Sequence, residues 1–171
     1  MTKTLKKTLA LLLSIVMLMS AVPMGYSFAA DALISGDYAY MLSEAGATIT
    51  KYNGTDTVVE IPETLDGNTV VRIGADEASR LMPFYQNATL KSVTIPDSVE
   101  CIGYGAFYQC ALRKITVPRS VKVIEERAFS CCEELTEVVL QEGLESIGVL
   151  AFQYTGVKSV TIPKTVTAIG E

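Results

Sequence analysis

Residues 90–110 read LKSVTIPDSVECIGYGAFYQC, and this pattern recurs three more times toward the end of the chain. The four copies open at Leu90, Leu112, Leu135 and Val157, at spacings of 22, 23 and 22 residues. A fixed period in the twenties, with apolar residues at fixed positions, is typical of a solenoid. Because one repeat cannot bury its own apolar face, neighbouring repeats must stack. The sequence therefore predicts a β-rich solenoid of 22–23-residue turns.

Each copy places apolar side chains at two strand positions, at a later isoleucine and at a phenylalanine that follows alanine. These recurrent positions predict the buried core of the stack. The expected core residues are Val93, Ile95, Ile102, Phe107, Ile115, Val117, Ile124, Phe129, Val138, Leu140, Ile147 and Phe152. The fourth copy continues the pattern with Val160, Ile162, Val166 and Ile169 before it stops at Glu171.

The consensus L-x-x-V-x-I-P-x-S-V-x-x-I-G-x-x-A-F-x-x-C resembles the BspA-like leucine-rich repeats of bacterial surface proteins. The resemblance covers residues 90–171 well and residues 58–89 loosely. In that longer first turn Ser79 stands where the family has phenylalanine, and we expect Phe84 to supply the ring. The resemblance implies a leucine-rich repeat stack that displays a β-sheet to host matrix or other cell-surface ligands.

The pattern also predicts domain boundaries. Residues 1–30 are expected to be a signal peptide, residues 31–57 an N-terminal cap hairpin, and residues 58–171 the solenoid. Within the solenoid, residues 58–89 form an atypical first turn and 157–171 an incomplete last turn. The regular turns between them are 90–111, 112–134 and 135–156. Because the last turn stops short, we expect the sequence to be a fragment or part of a longer protein, in which anchoring domains or a catalytic module could follow Glu171.

The N-terminus predicts export. Three lysines lie within the first seven residues, an apolar run follows over residues 9–22, and small residues lead to Ala29 and Ala30. This order is typical of a signal peptide cleaved after one of those alanines. A membrane anchor is the alternative, but a spanning helix needs about 20 apolar residues, so we expect no membrane span in the mature chain and a secreted or cell-surface location.

The stretch before the repeats predicts a β-hairpin. Tyr38, Tyr40 and Tyr52 alternate with polar neighbours on either side of the glycine-containing residues 44–46. Alternation interrupted by a turn signal is the pattern of two antiparallel strands. The first turn of a solenoid needs a cover on its outer face. We therefore expect this hairpin to be a cap, with its tyrosines used for packing.

Composition restricts the classes of function. Removal of residues 1–30 would leave 11 basic and 19 acidic residues, a net charge of −8. An acidic chain without a basic cluster argues against nucleic acid, whose phosphates need neutralisation. The sequence contains no histidine, which removes the commonest general base and metal ligand. Adjacent carboxylates such as Glu125 and Glu126 fit solvated turns better than a glycosidase pair. The sequence predicts a non-enzyme without metal or cofactor.

The four cysteines fall at two kinds of position. Cys110 and Cys132 occupy the same slot in successive turns, where a small buried apolar group fits. We expect buried free thiols there, with a Cys110–Cys132 bridge as the alternative. Cys101 and Cys131 align with Val123 and Gln109, and we expect both nearer the surface.

Two sets of side chains are candidates for ligand contact. Thr94, Thr116 and Thr161 lie between the buried positions of the main strand, on its solvent face. Tyr104, Tyr108 and Tyr154 fall at slots that hold polar or small residues in other turns, which predicts exposed rings. Exposed tyrosines suit binding surfaces and sugar stacking.

Charged residues also alternate in sign from turn to turn. One column runs Asp97, Arg119, Glu142 and Lys164, and another runs Glu100, Lys122 and Glu145. The alternation predicts ladders of ion pairs that fix the register of the turns.

The leading functional hypothesis is a secreted or cell-surface module that recognises an extracellular or surface protein. The alternatives are a non-catalytic arm that targets a larger cell-wall or glycan-active protein to its glycan, and a structural spacer of the cell envelope.

Overall fold

A computed structural model describes residues 32–171. This part of the chain is built from thirteen short β-strands and contains no helix. The strands are β1 (Leu33–Ser35), β2 (Tyr38–Ser43), β3 (Gly46–Tyr52), β4 (Val58–Glu60), β5 (Thr64–Leu65), β6 (Asn68–Ile73), β7 (Ser92–Thr94), β8 (Cys101–Ile102), β9 (Lys114–Val117), β10 (Val123–Ile124), β11 (Glu137–Leu140), β12 (Ser146–Ile147) and β13 (Ala168–Ile169). The signal-peptide prediction for residues 1–30 lies outside the described residues.

Successive turns contribute strands to two sheets. A four-stranded sheet has the order β11-β9-β7-β4, and every pair in it is parallel. A nine-stranded sheet runs β1-β2-β3-β6-β8-β10-β12-β13, with β5 paired to β6. Each regular turn thus places one strand in each sheet and then bends back to begin the next. The predicted leucine-rich repeat solenoid is confirmed.

The N-terminal hairpin forms as the sequence predicts. Strands β2 and β3 pair antiparallel, and residues 44 and 45 make the turn between them. Strand β3 then pairs parallel with β6, so the hairpin continues the nine-stranded sheet at its first turn. Strand β1, which the sequence did not predict, adds an outer antiparallel strand. Tyr40 and Tyr52 are buried, as packing residues should be.

A stack of six aromatic rings runs through the core. Neighbouring ring centroids lie 4.9 to 5.3 Å apart. This spacing is close to the distance between hydrogen-bonded strands, about 4.8 Å. The rings belong to Tyr38, Tyr52, Phe84, Phe107, Phe129 and Phe152. Phe84 is 1% exposed and fills the place that Ser79 leaves vacant in the first turn, as predicted.

Most of the predicted core is buried. The exceptions are Val138, Leu140 and Phe152, which are partly buried and pack against the core from the third regular turn. The last turn is more exposed still, and the strand expected around Thr161 does not form. Val160 and Ile162 there are 37% and 41% exposed, since residues 32–171 place no further layer on them. Placing Thr161 on the strand face is therefore wrong.

The third side of each turn is a tight bend with two left-handed residues. One position is filled by Gly105, Arg127 and Leu150, with φ of 54°, 55° and 57°. The other is filled by Gln109, Cys131 and Tyr154, with φ of 58°, 60° and 53°. The recurrence shows that the repeat imposes this backbone on whichever residue occupies the position, although most side chains disfavour it.

Candidate binding surface on the four-stranded sheet

The outward face of the four-stranded sheet carries two columns of side chains. Along a strand, side chains alternate between the faces, so Val93 and Ile95 enter the core while Thr94 points outward. Pairing aligns residues of adjacent turns. One outward column consists of Glu60, Thr94, Thr116 and Val139, and the other of Val58, Ser92, Lys114 and Glu137.

A groove of about 660 Å³ crosses this face between the second and third strands. Its lining includes Thr94 and Thr116, together with Asp97, Lys114 and Arg119. The volume falls within the range of about 300 to 1,000 Å³ that ligand sites occupy. Thus the structure brings two of the three predicted threonines into one concave site. Thr161 is exposed but does not line the groove.

Part of the predicted charge ladders forms. Lys122 lies 3.8 Å from Glu145, a pair that the second column predicts, and Lys114 pairs with Glu137 at 3.0 Å outside both columns. Within residues 32–171 no ion pair joins members of the column that contains Asp97 and Arg119. The ladder prediction for that column is wrong because its exposed side chains reach solvent instead of one another.

Gln141 replaces the proline of the repeat and ties two turns together at the groove. Its side-chain oxygen accepts a hydrogen bond from the backbone N–H of Arg119 at 3.1 Å. This bond fixes the backbone of Arg119 and leaves its guanidinium at the groove, where it is exposed. An exposed guanidinium beside small threonines offers both charge and a flat contact area to a ligand.

The predicted tyrosine set is not one site. Tyr104 is 6% exposed, so its predicted exposure is wrong. The longer first turn covers it: its backbone N–H bonds to Ala75 O at 3.1 Å, and the Arg80 guanidinium lies 6.0 Å from its ring. Tyr108 is partly buried, whereas Tyr154 is 70% exposed.

Sequence reasoning missed Tyr85, whose ring stacks on Tyr108 at 5.8 Å. Tyr85 lies 23 residues before Tyr108, which is one repeat period. This spacing could have placed Tyr85 beside Tyr108, but the irregular first turn makes the alignment of the two residues hard to recognise.

All four cysteines are free thiols. Cys110 and Cys132 are buried, and their thiols donate to the carbonyls of Phe84 at 2.8 Å and Phe107 at 3.0 Å. Burial raises the pKa of Cys132 to about 11 and that of Cys110 further. These thiols therefore pack as small apolar groups, as the sequence predicted.

Cys101 lies partly buried on the outer face of the nine-stranded sheet, beside an ion pair. Arg72 Nη2 lies 2.7 Å from Glu125 Oε2, and Arg72 Nη1 donates to Cys101 Sγ at 3.1 Å. Burial raises the Cys101 pKa to about 12, although the nearby guanidinium opposes the shift. Glu125 also accepts from the backbone N–H of Tyr104 at 3.0 Å. The cluster fastens three turns together and holds the thiol in its neutral form.

Parallel strands stacked by a repeat of 22–23 residues, with a concave polar strand face, define the class of leucine-rich repeat scaffolds. The chain belongs to the family described as the BspA type leucine rich repeat region, which matches residues 81–171 in six copies. Residues 32–171 contain no helix of the length and apolarity that a bilayer span requires.

Solved structures show the same fold. A leucine rich repeat protein of T. pallidum is 29% identical with a TM-score of 0.72, over 82% of this chain and 65% of that one. A leucine rich cell surface protein of Faecalibacterium prausnitzii is 31% identical with a TM-score of 0.59, over 88% of this chain and 45% of that one. The pneumococcal vaccine antigen PcpA, at 19% identity and a TM-score of 0.54 over 82% of this chain and 46% of that one, shares the fold. No curated protein matches the chain significantly.

The chain thus spans less than two thirds of these structural relatives. The family and the cell-surface relative support a repeat-built protein-binding module.

Proposed function

We propose that this chain is an exported module that adheres to a protein ligand through the outward face of its four-stranded sheet. The observation that carries the proposal is the groove between β7 and β9, where Thr94 and Thr116 lie side by side. Both threonines are small, and the longer side chains of Lys114, Arg119 and Gln141 also line the groove, where they can contact a ligand that reaches the sheet.

The scaffold suits recognition because the face is preorganised. Parallel pairing on one side and the aromatic stack inside hold each strand at a fixed spacing. A rigid surface loses little conformational entropy on binding, and that raises affinity. Lys114 and Arg119 provide positive charge at the groove and Asp97 negative charge, and such charges select a complementary partner.

Export and surface display rest on two independent supports. The N-terminal residues have the order of a signal peptide, with domains at 1–30, 31–57 and 58–171. A relative of 31% identity is a cell surface protein. The family and fold are typical of binding scaffolds without catalysis, and we propose no catalytic residue.

The test measures binding of the full chain to immobilised extracellular-matrix proteins and bacterial surface proteins. We expect saturable binding to a protein. Thr116→Glu should weaken it about tenfold or more, because the new carboxylate either repels negative groups of the partner or loses its hydration when the partner covers the groove. The matched control is Thr161→Glu. It makes the same change at the same repeat position, but on an exposed residue outside the groove.

Equal loss in both variants would contradict recognition through the groove. Saturable binding unaffected by Thr116→Glu would move the contact to another face. Absence of binding by a folded sample across the array would argue against the adhesion proposal.

A further inference from the structure

A depression lies at the bend after the nine-stranded sheet. It adjoins the left-handed column of Gly105, Arg127 and Leu150, of which Arg127 belongs to its lining. Gly105 has no side chain, and Met82 Sδ of the preceding turn lies 2.5 Å from where its Cβ would be, whereas the next two turns carry a guanidinium and an isobutyl group at this position. The depression measures about 380 Å³. It is lined by Met82, Tyr85, Tyr104, Tyr108, Arg127 and Gln153.

Aromatic rings supply much of the lining. Tyr85 and Tyr108 stack with centroids 5.8 Å apart and an interplanar angle of 22°, and Tyr85 is 46% exposed. Tyr104 completes the aromatic set from its buried position. Each tyrosine combines an apolar ring with a hydroxyl that donates and accepts hydrogen bonds.

The polar groups are suited to a neutral ligand. Arg127 Nη1 donates to the Tyr104 hydroxyl at 3.2 Å and pairs with Glu126 Oε1 at 2.8 Å. Glu126 thereby offsets the charge of the guanidinium, which disfavours an anion. The guanidinium in turn disfavours a cationic ligand, although tyrosine rings alone would attract one. Arginine has five N–H donors, and the Gln153 amide adds a donor and an acceptor.

We propose that this depression binds a neutral pyranose of a glycan, with the C–H face of the sugar against the tyrosine rings. Arg127, Gln153 and the tyrosine hydroxyls then bond to the sugar hydroxyls. The volume is at the lower end of the range of about 300 to 1,000 Å³ for ligand sites, which fits one or two sugar rings. The site lies in a different part of the repeat from the protein-binding groove and does not depend on that proposal.

The test uses neutral tetrasaccharides of glucose, mannose, galactose and N-acetylglucosamine, titrated into the full chain and followed by calorimetry and NMR. We expect saturable binding of at least one of them. Tyr108→Ser copies Ser130, which holds the same position in the next turn. It should weaken binding about tenfold, since tyrosines in a contact surface often supply much of the binding free energy.

Gly105→Leu is the sharper variant because it places a side chain against Met82 and Tyr108, which line the depression, and keeps every tyrosine. Leucine already occupies this left-handed position at Leu150. The added Cβ meets Met82 Sδ at 2.5 Å and Met82 Cγ at 3.0 Å, so this flexible side chain has to move within the lining of the depression. We expect this variant to lose sugar binding. Tyr154→Ala, which removes an exposed ring outside the depression, should bind as the parent chain does.

Circular dichroism checks that each variant is folded. If Gly105→Leu does not fold, the sugar affinity of Tyr108→Ser tests the proposal instead. Binding that survives in a folded Gly105→Leu or Tyr108→Ser variant overturns the proposal, as does absence of saturable binding to all four sugars. Thr116→Glu should leave sugar binding unchanged, so failure of the groove proposal and failure of this one are distinguishable.

Discussion

The turn that opens at Leu90 and the last turn carry the same apolar pattern, yet they differ in structure. Val93 and Ile102 are 6% and 0% exposed, whereas their equivalents Val160 and Ile169 are 37% and 58% exposed. The turn that opens at Leu90 is packed between two neighbouring turns, whereas the last turn has a neighbour on one side within residues 32–171. Stability in a solenoid is held largely at the interfaces between turns. A residue's burial therefore depends on its neighbours as much as on its own repeat.

The largest expected effect comes from truncating the aromatic stack in the middle. Phe107 is fully buried between Phe84 and Phe129, so Phe107→Ala should lower the free energy of unfolding by about 3–5 kcal/mol. Within residues 32–171, Phe152 is partly buried and stacks on one aromatic ring, that of Phe129, so Phe152→Ala should cost about half as much. Urea unfolding of both variants measures the difference. Equal losses of unfolding free energy in the two variants would contradict the expectation that inner turns are packed more stably than the last ones.

A smaller effect is expected where two backbones approach. A Cβ on Gly103 would lie 2.5 Å from Gly74 O and 2.7 Å from Ala75 O. Gly103→Ala should therefore cost about 1–3 kcal/mol through overpacking. Gly170→Ala meets Val149 N at a similar 2.5 Å, but the last turn can shift away and should lose less. Thermal unfolding tests this order, and a larger loss at Gly170 would contradict it.

Buried thiols should make the inner turns sensitive to alkali. The pKa of Cys132 is raised by burial to about 11, while an unfolded thiol ionises near 8.5. The unfolded state therefore releases its proton first, and stability falls as pH rises from about 8.5 to 11. Cys132→Thr copies Thr155 of the third regular turn and should make this decline shallower. Chemical denaturation at intervals between pH 8 and 11 provides the comparison, and identical slopes would argue against a buried neutral thiol.

The smallest effect is expected at Arg119. Its side chain has no ion pair within residues 32–171, so Arg119→Glu should change stability by less than about 0.5 kcal/mol. A charge ladder predicts a clear loss at low salt instead. Melting temperatures at two ionic strengths separate these expectations. The exposed pair of Lys114 and Glu137 provides a reference, with about 0–1 kcal/mol expected.

The repeat fold was predictable because turns that stack must bury apolar side chains at the same positions, and the sequence repeats those positions at a fixed period. Phe84 could be assigned to the core despite the irregular first turn, since the stack needs one ring per turn. Tyr104 could not be placed correctly, because the length of the first turn that covers it is not repeated elsewhere. The depression lined by Met82 and three tyrosines also escaped prediction, since its lining comes from residues distant in sequence. Alignment of Tyr85 with Tyr108 was available from the period alone.

The backbone bonds that join one turn to the next, such as Phe107 N to Ala128 O at 2.8 Å and Phe129 N to Ala151 O at 2.9 Å, have a mechanical consequence. These bonds connect adjacent layers, so tension applied to the two chain ends loads the outermost layer before the interior. Turns should then peel off in succession rather than all at once. Each regular turn that detaches releases 22 or 23 residues, about 75 Å of extended chain. A single-molecule pulling experiment should therefore show extension steps whose length corresponds to the period of the sequence.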